Sequence, residues 1–248
     1  MRCTPLIVAG GLALLASGLE ADLVRAQSSP AEAPAGFTSL FNGRDLSGWR
    51  GRPGGGGIFS PYEEAGYSAE ERRAKQAEWN ADRDTHWSVD TGKGEIVSDG
   101  EGVHLATEQA YGDFEFRVDW MLTERCGDSG VYLRSYPQVQ LWDPDCPDVQ
   151  EHGAGRGSGG LWNNNPDNPG RWPLVKADRP IGEWNTMSVT MVGARVWVTL
   201  NGEAVVVGQR LDNIEMRHHQ DRLPGRARTG VPDHQVDELV IKCDDIDV

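Results

Sequence analysis

Basic residues are outnumbered in this chain of 248 residues: 24 Lys and Arg stand against 38 Asp and Glu, a formal net charge of −14. Phosphate backbones are bound through clustered Lys and Arg, so the balance excludes nucleic acid and disfavours anionic membranes. Neutral ligands such as sugars remain. Cysteine is also scarce, with Cys3, Cys126, Cys146 and Cys243 alone, no CxxC pair and no His-rich tract. A structural zinc site is therefore not expected. Long apolar runs are missing save one, Leu6 to Leu19, which is too short to span a bilayer comfortably. The rest of the chain carries no membrane signal.

That single run has a purpose legible from its flanks. Arg2 charges the short segment before it, and Val24 and Ala26 put small residues three and one positions before Gln27. This is the layout of a secretory signal peptide over residues 1–26, followed by a linker over 27–35. A buried N-terminal helix is the other reading, but the run has no helical face. The expected mature protein is periplasmic or secreted, with no membrane contact after cleavage. Cys3 leaves with the leader. Of the three remaining cysteines, Cys126 and Cys146 flank two apparent strands and could meet, although spacing alone does not establish it. Residues 36–248 then form a single domain, of a length that one sandwich or barrel commonly fills.

What is abundant is turn-forming sequence, with 31 Gly and 14 Pro, alongside 9 Trp. From Phe114 onward the apolar period is two: Phe114, Phe116, Val118 and Trp120 alternate with Glu115, Arg117 and Asp119. Val131 and Leu133 alternate with Tyr132 and Arg134, and Val139 and Leu141 with Gln138, Gln140 and Trp142. Met187–Met191 and Val196–Leu200 flank the hairpin signal Val192-Gly193-Ala194-Arg195, and Asn201-Gly202 marks a second turn. Many short strands without intervening helices predict an all-β antiparallel sandwich. One helix is expected at Ala69–Trp79, capped by Ser68 and Glu71. Between Pro144 and Pro180 a long stretch rich in Gly, Asn, Pro and Trp reads as a loop with a task.

Several segments together resemble the 3-keto-disaccharide hydrolase family, also described as a 3-keto-glucoside lyase and 3-keto-2-hydroxy-glucal hydratase domain. They are Gly36–Trp49, Tyr111–Glu115, Asp128–Arg134, Pro137–Asp143, Gly157–Asn164 and Gly182–Thr186, with Val198–Gly202 as trailing strand and turn. They follow family order from about 36 to 213. The resemblance implies a concanavalin-like jelly roll, in agreement with the period-two reading. The tail departs from the pattern. Residues 214–228 are basic and irregular, Gly230–Gln235 is a shortened echo of a family segment ending in His-Gly, and Val236–Ile241 is the expected last strand.

The chemistry the resemblance implies starts from a 3-keto group, which acidifies the proton on C2 of the sugar. A base removes that proton, the enolate expels the C1 substituent, and water later adds to the glucal. Donors, or a divalent metal acting as Lewis acid, would stabilise the enolate; the sequence neither requires nor excludes the metal. Asp119, on the polar face with Glu115 and Arg117, is the expected base, against an exposed or Arg117-paired carboxylate. Asp128 and Arg134 are the other catalytic candidates, weighed against an Asx-turn and a strand-end ion pair. Gln138 and Gln140 suit neutral hydrogen bonding to hydroxyls, or a cross-strand ladder. Asp143 could orient a hydroxyl, ligate a metal or cap a turn. Trp142, Trp162 and Trp172 offer flat faces to sugar rings, with Asn163 beside them, while Trp49 and Trp184 are assigned to the core. His152 and His234 are weaker candidates.

The expected activity is that of a monomeric extracytoplasmic lyase or hydrolase of 3-keto-glycosides, fed by an upstream sugar oxidoreductase. A non-catalytic carbohydrate-binding module and a glycosidase of unoxidised sugar are the alternatives. The latter needs two carboxyl groups ~5–10 Å apart, which Glu115 and Asp119 could supply.

Overall fold

The structure, a computed structural model, describes residues 3–7, 33–53, 66–134, 137–164, 167–211 and 240–244, with the backbone alone at 3–7 and 240–244. Twelve strands are described: β1 (Cys3–Ile7), β2 (Trp49–Arg52), β3 (Trp87–Asp90), β4 (Glu95–Ser98), β5 (His104–Thr107) and β6 (Phe114–Leu122) in the first half. The second half supplies β7 (Asp128–Tyr132), β8 (Gln138–Trp142), β9 (Asn185–Val192), β10 (Arg195–Leu200), β11 (Glu203–Arg210) and β12 (Val240–Asp244). They pair antiparallel in two sheets. One runs β11-β10-β9-β6-β1-β4-β3, the other β2-β5-β12-β7-β8.

Alternation explains how the sheets face each other. Phe116, Val118, Trp120 and Leu122 of β6 are buried with Met187, Val189 and Met191 of β9 and Val196, Val198 and Leu200 of β10. They meet Trp49, Leu105, Val131, Val139 and Leu141 from the second sheet in one apolar cluster. A one-residue slip of any of these strands would turn its apolar set to the opposite face, which fixes the register. The expected sandwich is thus the observed one. Both turns follow their signals: Asn201 and Gly202 have φ of 51° and 89°, the pair of positive values that a two-residue hairpin of the favoured hand requires.

Two expectations shift, and a third falls partly outside the described residues. The first strand lies within the segment read as a leader, with Leu6 opposite both Trp120 and Ile96. The last strand is described as Val240–Asp244; residues 236–239 of the expected strand, like His234 and the irregular tail from 214, lie outside the described residues. Trp49 is a core residue as expected, but Trp184 is only partly buried.

The helix α1 (Ala69–His86) starts with the expected capping box, Ser68 Oγ accepting from Glu71 N at 3.2 Å and Glu71 Oε2 from Ser68 N at 2.8 Å. It runs seven residues further than expected because its last turns dock on β2. Asn80 Oδ1 accepts from Gly51 N at 2.9 Å, Gln76 Nε2 donates to Gly51 O at 2.9 Å, and Arg83 Nη1 donates to Trp49 O at 2.6 Å. Side chains of α1 thereby satisfy the outer edge of the sheet. Gly51 is required there, since a Cβ would collide with the carbonyl of Trp79.

Candidate functional site

The outer face of the five-stranded sheet carries a buried polar row. Because Leu105, Val131, Val139 and Leu141 point into the sandwich, their chain neighbours His104, Tyr132, Gln138 and Gln140 point away from it. Register then assembles them across strands. Arg52 on β2 lies opposite His104 on β5, Tyr132 on β7 opposite Gln138 on β8, and Gly130 opposite Gln140. Arg52, His104, Gln138 and Gln140 are all buried, although they face out of the sandwich.

Hydrogen bonds order the row at its β7–β8 end. Gln138 Nε2 donates to Gln140 Oε1 at 2.7 Å, and Gln140 Nε2 donates to the Asp128 carboxylate. Gly130 leaves room for this rail: a Cβ there would run into the Gln138 amide. At the other end the His104 and Tyr132 rings stack with centroids 6.1 Å apart and planes 22° apart, across the intervening β12. A carboxylate, an imidazole, a guanidinium, a phenol and two amides thus share one surface. Such a surface can move a proton, hold an anionic oxygen and bind hydroxyls.

The expected catalytic trio does not assemble. Asp119 lies on β6 of the other sheet, facing outward between buried Val118 and Trp120, where it bonds Thr186. Burial raises its pKa above the usual carboxylate value, a shift that the Thr186 hydrogen bond only partly offsets. Glu115, its neighbour on that face, is held by Arg117 at 2.7 Å, so these acids do not reach the polar row. Arg134 sits past β7 with φ of 48° and clamps two turns, donating to Gly112 O at 2.6 Å and to Gly193 O at 2.9 Å. It also pairs with Asp113 at 3.1 Å. Of the three, only Asp128 belongs to the row.

The binding candidates divide similarly. Gln138 and Gln140 are in the row, while buried Asp143 caps a turn, its carboxylate accepting from Cys126 N and Asp145 N, each at 3.0 Å. Asn163 Oδ1 accepts from Gln138 N at 2.8 Å and so anchors β8. The tryptophans do not present open flat faces. Trp142 is buried and donates to Gly157 O at 2.9 Å. Trp162 meets it edge-on at 4.9 Å and Trp172 at 5.9 Å, and the Arg171 guanidinium covers Trp162 at 3.7 Å. Arg156 lies over Trp172 at 4.8 Å. Exposed His152 touches Trp162 only at its edge.

Alternation in β7 and β8 shows the amides and Asp128, but it did not show Arg52, His104 or the part Tyr132 plays. β2 and β5 are four residues each, too short for a period to declare itself.

Cys126 and Cys146 are joined in a disulfide, with Cα atoms 4.9 Å apart. Among the described residues, the one group of acids, histidines and cysteines close enough to share an ion is this bonded pair with Asp148. With its sulfurs bonded to each other, that group is not a metal site.

Comparison with known proteins agrees with this architecture. The model of a family described as the 3-keto-alpha-glucoside-1,2-lyase-like domain matches residues 36–235. Among solved structures, a candidate glycosyl hydrolase from Parabacteroides distasonis is 19% identical with a TM-score of 0.50, covering 85% of this chain and 77% of its own. A second from the same organism is 24% identical with a TM-score of 0.49, covering 84% and 87%. At 19% identity the first of these likenesses concerns the fold alone. No curated protein matches the chain.

Proposed function

Because the chain belongs to the 3-keto-alpha-glucoside-1,2-lyase-like domain family, a group of carbohydrate-directed hydrolase- and lyase-like domains, we propose that it cleaves 3-keto-glycosides outside the cytoplasm, on the polar row of the five-stranded sheet. His104 takes the C2 proton, imidazole being the side chain whose ordinary titration lies near neutral pH. The electron pair of the C2–H bond moves into the enolate, whose oxygen is held by Arg52, the cross-strand neighbour of His104. The enolate then collapses to a C1=C2 double bond and the C1–O bond breaks. The imidazolium returns its proton to the departing oxygen, and water adds across the double bond to give the free 3-keto sugar. Asp128, Gln138 and Gln140 hold ring hydroxyls through the rail already described.

The observation that carries this reading is the burial of Arg52 and His104 on the same sheet face as that rail. An extracytoplasmic site is supported by the leader pattern and by the disulfide, since such bridges persist in oxidising compartments. The ketone substrate requires an upstream oxidation of the sugar 3-hydroxyl, the step assigned to an oxidoreductase partner.

Incubation of purified protein with a 3-keto-disaccharide, followed for glucal and free sugar, tests the proposal. His104→Gln should lower turnover by roughly 10²–10⁴-fold, the usual worth of a positioned proton-transfer group. Asp119→Asn should leave turnover intact. Release of sugar from the unoxidised disaccharide would establish a glycosidase instead, and binding without turnover a carbohydrate-binding module.

A further inference from the structure

The seven-stranded sheet has an outer face of its own, on the side away from the polar row. Val196, Val198 and Leu200 of β10 point into the core, so Trp197 and Thr199 point out, and both remain half-buried rather than covered. Register sets Thr190 opposite Trp197 and Ser188 opposite Thr199, with Glu115 and Arg117 on the strand beyond. The last two neutralise each other at 2.7 Å, and Arg195 donates to Gly208 O at 3.0 Å. Three hydroxyls are left beside the indole.

The ring of Trp197 lies flat. A Cβ at Gly208 of β11 would stand 3.3 Å from Nε1 and 3.4 Å from Cε2 and Cζ2, three contiguous atoms met from one side of the ring. Gly208 has φ of 60° and no side chain, so the indole rests on its backbone and turns its second face outward. Among the described residues no ring or cation stacks on Trp197, and nothing accepts from its Nε1. Val207, next to Gly208, is 63% exposed. The open aromatic face expected of Trp142, Trp162 and Trp172 is thus found on the opposite sheet.

An indole face flanked by hydroxyls has a chemical complement. The C–H face of a pyranose stacks on an aromatic ring, and its equatorial hydroxyls meet the N–H and O–H groups at the margin. Neighbouring strands stand about 4.8 Å apart, so Ser188, Thr190 and Thr199 lie within one or two sugar lengths of the ring. A protein partner would need roughly 1,000 Å² with an apolar centre, and one indole with Val207 among hydroxyls and an ion pair does not supply it. An anionic glycan is repelled by a chain of net charge −14. A β-1,4-linked glucan is a neutral, extended ribbon whose ring faces lie flat on such a surface, whereas an α-1,4-linked glucan coils.

We propose that the outer face of the seven-stranded sheet at Trp197 is a second, non-catalytic binding site, and that it takes a neutral β-1,4-linked glucan chain. The site does not depend on the polar row being the place of reaction. Affinity electrophoresis through gels containing hydroxyethylcellulose, with calorimetric titration of cellohexaose, tests it. The unmodified protein should be retarded by hydroxyethylcellulose and not by soluble starch. Trp197→Ala should weaken cellohexaose about tenfold. Thr190→Val keeps the side-chain shape at a half-buried position, so the melting temperature should hold while cellohexaose binding falls about fivefold. His104→Gln should leave the retardation unchanged, which separates this face from the polar row.

Absence of retardation in the unmodified protein, or unchanged binding in either Trp197→Ala or Thr190→Val, overturns the site. Retardation lost in His104→Gln would put the glucan on the polar row and overturn it equally. Self-association that Trp197→Ala abolishes in sedimentation, with no glucan bound, would replace it with a contact between copies. Failure of turnover on a 3-keto-disaccharide beside intact retardation overturns the chemistry of the polar row and leaves the glucan site standing.

Discussion

Asp119 shows how one side chain can satisfy a sequence pattern and yet have other work. Alternation correctly put it on the polar side of β6, but nothing in that strand states which sheet β6 joins. Its raised pKa has a measurable consequence. Burial makes the native state hold the proton more tightly than the unfolded chain does, so stability falls as pH rises from the ordinary carboxylate value through the raised one. Asp119→Asn removes that loss. The variant should melt at or above the parent at neutral pH, and the difference should vanish below the ordinary aspartate pKa, in thermal scans between pH 3 and 7. A variant that melts lower at neutral pH would show that the ionised carboxylate stabilises the fold. By contrast Gln138, Gln140 and Asp128 were legible, because β7 and β8 are consecutive strands joined by a short turn, so their alternations share one register. His104 and Arg52 needed the sheet order, which brings β2 and β5 beside β7 through β12.

At the scale of elements, the connection after β8 is held by covalent and polar ties where it lacks periodic packing. The disulfide spans 20 residues and fastens the residues just before β7 to those just after β8, and the Asp143 carboxylate caps the same junction. Closing a loop of that length stabilises by about 3 kcal/mol in the chain-entropy account. Replacing Cys126 and Cys146 with serine should lower the unfolding free energy by that amount in urea titrations, and reductant should lower the unmodified protein likewise. An unchanged midpoint would show the bridge to be energetically idle. Sequence offered the two cysteines as candidates and no more, since three-dimensional proximity is not a property of spacing. In the Trp-rich loop the ring faces that sugars were expected to use are occupied by Arg171 over Trp162 and Arg156 over Trp172.

For the whole molecule, the two-layer plan was readable because the core residues repeat with period two on strand after strand. The tail from 214 was not, having no such repeat. Export adds a test at this scale. The exported chain should begin at Gln27 by mass spectrometry, and a chain of residues 27–248 should then exchange β4 and β6 backbone amides faster than the full chain, whose Cys3–Ile7 lies between them. An exported protein still beginning at Met1 would dismiss the leader. The amides and guanidinium that α1 presents to Gly51 and Trp49 have a counterpart beyond β8, where Leu161 bridges Val139 and Trp162 N donates to Gln138 O at 3.0 Å, so both margins of the five-stranded sheet are occupied within one chain. Strand-to-strand growth into fibres or paired copies is thereby denied to the layer that carries His104. The margins left for it, β3 and β11, belong to the other layer. Crowding of this protein at high concentration would on that account spare the layer on which the polar row lies.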